Sequence, residues 1–170
     1  MTRLMLNDAQ RDVRRVLLWL LTWTTLESGL VIAHVQYGAN RYENPGLQHV
    51  IVVALFWLMA AAIVIGTYVR RPSNAKRWLL TAVVGLPFVG IFGLAHGAAG
   101  HGLKLILHAS GVAPERLATL VNMGDFVVPD DAFFELTGVG TFFASLLVCA
   151  MLWRFCRMTH LSPKTDTTGT

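Results

Sequence analysis

Charge is what this chain has least of. Asp, Glu, Lys and Arg make up 14% of its 170 residues and hydrophobic residues 54%, where soluble chains carry about 25% charge. That balance excludes an ordinary soluble domain. Cysteine is nearly absent. Only Cys149 and Cys156 occur, and on one helical run they lie about 10 Å apart along the axis, beyond the reach of a disulfide. With no CxxC pair there is no thiol redox signature, and the two read as small apolar helix side chains. No P-loop, GxSxG or nucleotide-binding glycine fingerprint is present. The formal charge of +4 does not call for nucleic acid, because the basic residues stand in short clusters between apolar runs. That is the pattern of a membrane protein oriented by its loops.

What the chain does have is four apolar runs, at residues 16–35, 47–69, 78–100 and 132–153, each about the 20 residues that a bilayer crossing needs. The expected fold is all-α: an integral membrane four-helix bundle filling residues 1–160 as one domain, in contact with the lipid bilayer. Trp19, Trp78 and Trp153 sit near span ends as interfacial anchors. The first run is too long for a signal-peptide core and no small-x-small cleavage site follows it, so it reads as a retained helix. Arg3, Arg11, Arg14 and Arg15 precede span one, Arg70, Arg71, Lys76 and Arg77 lie between spans two and three, and Arg154, Arg157 and Lys164 follow span four. The other two loops are balanced or acidic. Positive-inside reasoning therefore puts both termini in the cytoplasm, with the membrane expected to be a bacterial inner membrane. The outer loop, 109–131, is longer than most connections and holds a short helical candidate at 114–123 that opens on Pro114. The tail 161–170 is polar and is expected to be disordered.

Against that background the polar residues near one face stand out. His34 closes span one on the outer side, His49 opens span two, His96 lies near the outer end of span three, and His101 and His108 follow just beyond it. Only His160 is on the inner side. Imidazole suits zinc, copper, iron and haem iron, so the cluster points to a metal or haem site with His34, His96, His101 and His108 as candidate metal ligands. An interfacial polar belt is the other reading. Glu135, at the start of span four, offers a ligand, a partner to one, or a group that polarises substrate. Glu27 lies in the middle of span one, where an ionised carboxylate costs a few kcal/mol (about 3). It must be protonated, paired or facing a cavity, and a bond to Thr24 or Thr25 would satisfy it. His34 is two turns further on the same stripe, which makes Glu27 and His34 a candidate proton relay. His101, Lys104 and His108 share a second stripe. His96 is five residues before His101 and points elsewhere unless the helix breaks at GAAGHG, residues 97–102. Span three is rich in glycine, and Gly93 and Gly97 form a GxxxG face suited to helix packing, a flat cofactor or a homo-oligomer contact.

Three stretches resemble styrene-oxide isomerase and its relatives: NPGLQHVIVVALFW at 44–57, KRWLLTAVVG at 76–85 and VPDDAFFELTGVG at 128–140. The resemblance implies a trimer of four-span chains carrying haem b, whose iron acts as a Lewis acid that opens a small apolar epoxide to an aldehyde. It implies His49 as the cofactor-binding axial ligand, and in that reading Glu27 or Glu135 is the candidate catalytic group that polarises substrate. The chain departs from the family at two points. Val50 to Val53 follow His49 where the family has Asn–Gly, and Phe92 stands where it has a tyrosine. Three function classes follow: a haem- or metal-dependent membrane isomerase, a proton- or metal-handling carrier using Glu27 and His34, and a non-catalytic accessory subunit.

Overall fold

A computed structural model describes residues 2–120, 129 and 131–160, with 2–7, 9, 118 and 160 as backbone alone. Every described element is helical: α1 (Thr2–Arg41), a 3-10 turn (Pro45–Gln48), α2 (His49–Arg70), α3 (Asn74–Val84) continued by a π-helical segment (Gly85–Leu103), α4 (Lys104–Ala109), α5 (Pro114–Leu120) and α6 (Ala132–His160). Four rods are long and apolar enough to cross a membrane: Gln10–Arg41, Pro45–Arg70, Asn74–Ala109 and Ala132–Thr159. Each contains one expected span and runs past it, because helical hydrogen bonding continues into the polar flanks where hydropathy stops reporting it. The 114–123 candidate is helical over Pro114–Leu120; its last three residues, and the tail 161–170, lie outside the described residues.

Local chemistry sets the ends. α1 closes where the N–H of Asn44 reaches back to the Ala39 carbonyl at 3.1 Å and Glu43 adopts φ 52°. The Asn44 side chain then accepts from the Gly46 N–H and starts the 3-10 turn that leads into α2. Pro72 stops α2. Lys76 donates to the Thr67 and Arg71 carbonyls at 3.1 and 2.8 Å, a cation on the negative end of that helix. Ser73 caps α3 by accepting from the Lys76 N–H.

The third rod changes its winding at Gly85. Pro87 has no N–H to give, and its ring collides with the carbonyl four residues back in an α-helix. A helix bonded i to i+5 relieves that collision. The rod then stays continuous to Ala109, with no break at residues 97–102.

α6 lies antiparallel to both α1 and the third rod and packs along each. Its close approach depends on glycine. A Cβ at Gly38 would strike the Phe134 ring, one at Gly97 would strike Thr141 and Phe142, and one at Gly93 would strike Ser145. Gly93 and Gly97 are therefore covered by α6 of the same chain. α2 rests on α1 and on α3 but scarcely touches the π segment, so α2 and the third rod diverge toward the end that carries His34. Leu18, Val52, Phe56, Ile63, Leu94 and Phe143 stand exposed around the bundle, an apolar outer surface that suits lipid rather than water.

Asp131 fastens α6 to α1. Its Oδ1 accepts the Phe134 N–H at 3.0 Å, and its Oδ2 accepts the Tyr37 hydroxyl at 2.7 Å, with Arg41 Nε 3.6 Å away. The Phe134 N–H, then the Tyr37 hydroxyl, hold this carboxyl below its ordinary 3.8. A lowered pKa contributes stability that is complete above the unfolded value and fades as pH falls through the folded one. Thermal unfolding in detergent should accordingly show Asp131→Ala less stable than the parent by a constant margin above about pH 5, narrowing below the ordinary carboxylate value.

Candidate metal centre

His34 comes from α1, and His96 and His101 from the π segment. His34 and His101 are buried and His96 is half-buried. Their ring centroids form a near-equilateral triangle, with sides of 4.8 Å for 34–96, 4.6 Å for 34–101 and 4.9 Å for 96–101, and the rings meet edge to face. One nitrogen of each lies within 4.8 Å of the other two. Winding is what makes this possible. In an α-helix, residues five apart point in different directions; in a helix bonded i to i+5 they stack on one face.

Hydrogen bonding prepares two of the rings. His34 Nδ1 lies 3.0 Å from the Phe134 carbonyl and 3.1 Å from Thr137 Oγ1, and the ring stacks on Phe134 at 4.1 Å. A carbonyl can only accept, so Nδ1 carries the hydrogen and Nε2 is left with its lone pair. His101 Nδ1 lies 2.7 Å from Glu135 Oε2, and the same argument frees its Nε2. Lys104 donates to the other oxygen of Glu135, which balances the charge of this buried group. His96 Nε2 is buried without a hydrogen-bond partner among the described residues. A carboxylate or carbonyl behind each imidazole is the usual support for metal-ligating histidine, and an unpartnered buried nitrogen is the kind of orphan that a ligand satisfies. A tetrahedral zinc with bonds of about 2.0–2.1 Å would hold its nitrogens about 3.4 Å apart, so the triangle would close by roughly an ångström on loading.

The three rings line a cavity of about 750 Å³ together with Lys104, the turn at 42–44 and aliphatic side chains from α1, α2 and the π segment.

The chain matches no family model, no curated protein and no solved structure. Its function has to be argued from this geometry.

Of the residues singled out by sequence, His34, His96, His101 and Glu135 meet in one place. His49 does not join them. It stands exposed at the first turn of α2, with Nδ1 donating to the Gly46 carbonyl, and is not part of the cavity wall. His108 is exposed at the end of α4 while Lys104, on the same stripe, turns inward to Glu135. Glu27 is fully buried about 10 Å below His34 along α1, and neither carboxyl oxygen has a partner among the described residues. The alternative of a bond to Thr24 or Thr25 is not seen, since their hydroxyls donate to carbonyls of their own helix.

Two supporting residues carry little sequence signal. Phe134, which stacks on His34, looks like any apolar residue of α6. Gly138 looks like any helix glycine, yet a Cβ there would overlap the His101 ring. Alanine at an open helix position gains up to about 1 kcal/mol over glycine. Here Gly138→Ala should instead cost about 1–3 kcal/mol, as overpacking does, and weaken metal binding by roughly 10–100-fold through displacement of His101. Chemical unfolding and a zinc titration on the same variant check both.

Proposed function

We propose that this is a multi-pass inner-membrane protein, with both termini in the cytoplasm, whose activity depends on a transition-metal ion held by His34, His96 and His101 in the outer half of the bundle. The observation that carries this is the convergence of three imidazoles, two of them with Nδ1 already donated and Nε2 free. Three protein nitrogens leave a coordination position open, and an ion so bound supplies Lewis-acid polarisation of an oxygen on a molecule in the cavity. The chain's own residues hold the ligands in register: Phe134 and Thr137 orient His34, Glu135 orients His101, and Lys104 offsets the Glu135 charge. Val31, Val35, Ile91 and Phe92 give the cavity apolar walls beside the ligands. The reading is a metal-dependent membrane enzyme for a small, largely apolar substrate.

Haem b fits this donor set less well. A porphyrin fills four coordination positions in one plane and leaves an axial site on either side, whereas these imidazoles converge on one point. His49, the ligand implied by resemblance to styrene-oxide isomerase, lies outside the cavity and would need a second copy of the chain to enclose a haem.

A carrier function has one observation of its own, the carboxyl group of Glu27 inside a span with no partner among the described residues. Loss of a pH-dependent cation flux in proteoliposomes of Glu27→Gln would favour it.

The deciding experiment is metal analysis of the detergent-purified chain, followed by cobalt substitution. One equivalent per chain and a visible tetrahedral cobalt spectrum are expected, both lost when His34, His96 and His101 are replaced together. Unchanged metal content in that triple variant would end the proposal.

A further inference from the structure

The cavity is not closed within the bundle. α2 packs on α1 and α3, the π segment packs on α6, and α2 and the π segment scarcely meet. Val50 of α2 and Ile91 of the π segment line the cavity from opposite sides of that gap, with Val31 and Val35 of α1 as the wall behind. Ile91 lines the cavity and is 48% exposed, so the cavity opens on the side of the bundle where Ile91 and Val50 face across the gap. Val31, Val35, Val50, Ile91 and Phe92 supply the cavity's apolar wall, and the three histidines, Lys104 and the turn at 42–44 its polar one, with His34 one turn, about 4.5 Å, above Val31. From Val31 to that turn the distance along α1 is roughly 16 Å at 1.5 Å per residue. The volume of about 750 Å³ falls within the range of about 300–1,000 Å³ for one compact ligand.

We infer that the substrate is a single-chain amphiphile drawn from the bilayer through the cleft between α2 and the π segment, its alkyl chain lying along Val31, Val50 and Ile91 and its polar head reaching the histidine triad. A molecule that arrives sideways never has to move its chain into water, and its head meets the only polar wall of the cavity. This inference rests on the membrane reading and deepens the metal reading by naming the substrate class.

The test uses the full chain in phosphatidylcholine nanodiscs, with and without zinc. The probe is a dodecyl hydroxamate carrying a diazirine in mid-chain, since a hydroxamate head binds an open metal position and the diazirine reports where the chain lies. Light should attach the probe to the peptides that contain Val50 and Ile91. Excess unlabelled dodecyl hydroxamate should suppress this labelling by at least about tenfold and butyl hydroxamate should not, because each additional buried methylene is worth about fourfold in affinity. Ile91→Trp, which fills the cleft mouth, should reduce the labelling to a similar degree and leave zinc content unchanged. Uncompeted labelling spread over Val52, Phe56, Leu94 and Phe143 would overturn the inference and leave the metal reading intact. Competed labelling at the cleft in a chain that fails to hold zinc would uphold the cleft and count against the metal.

Discussion

Replacing His34, His96 or His101 singly by alanine should reduce zinc affinity by on the order of 1,000-fold, well beyond the 10–100-fold that loss of a supporting hydrogen bond costs. Glu135→Gln should fall in that lower range, because it keeps the shape of the side chain but loses the charge that His101 and Lys104 share. His49→Ala and His108→Ala should leave affinity unchanged, since both rings are exposed and outside the triad. Competition against a chromophoric chelator gives the three classes on one scale. The pattern is more telling than any single value. A belt of interfacial histidines would make all five substitutions equivalent, and a haem ligated by His49 would invert the order.

The second large effect is on stability and has the opposite sign from most core substitutions. Glu27→Leu should stabilise the chain by about 2 kcal/mol, because a buried neutral carboxyl group with no partner among the described residues costs about 1–3 kcal/mol by mutational measure. Leucine fills a similar volume with no polar atoms to satisfy. Reversible unfolding in mixed micelles would show it as a rise in the denaturant needed at the midpoint. A loss of stability would mean that Glu27 has a structural partner that neighbouring side chains do not reveal. A gain in stability with a loss of activity would mark Glu27 as a residue kept for function at the expense of the fold.

These two expectations differ in how visible they were beforehand. Glu27 is legible from sequence because a lone carboxyl group in an apolar run breaks the pattern around it, and its oxygens have no partner among the described residues. The histidines are legible only as a group near one end. Which of them meet was not, because the decision rests on the winding of the third rod. With α-helical winding His96 and His101 diverge. The π segment stacks them, and fewer than about 1 in 100 residues in known proteins adopt that winding. Pro87 and the glycines around it indicate a departure from α-helix without saying which one. Gly138 was equally silent, since the need for a missing side chain appears only once the His101 ring is placed against it.

The sequence by itself determined the number of membrane-length helices, the end at which the basic residues gather and the shortage of surface charge. Each of these follows from hydropathy and position along one chain, and no contact between elements is needed to read them. The tertiary structure alone decided that His34, His96 and His101 come together while His49 and His108 stand outside, that Glu135 and Lys104 back that cluster, and that Val50 and Ile91 line the cavity beside it. Those are distances between residues as many as 103 positions apart, set by how closely α6 can approach over glycine and by how the third rod turns.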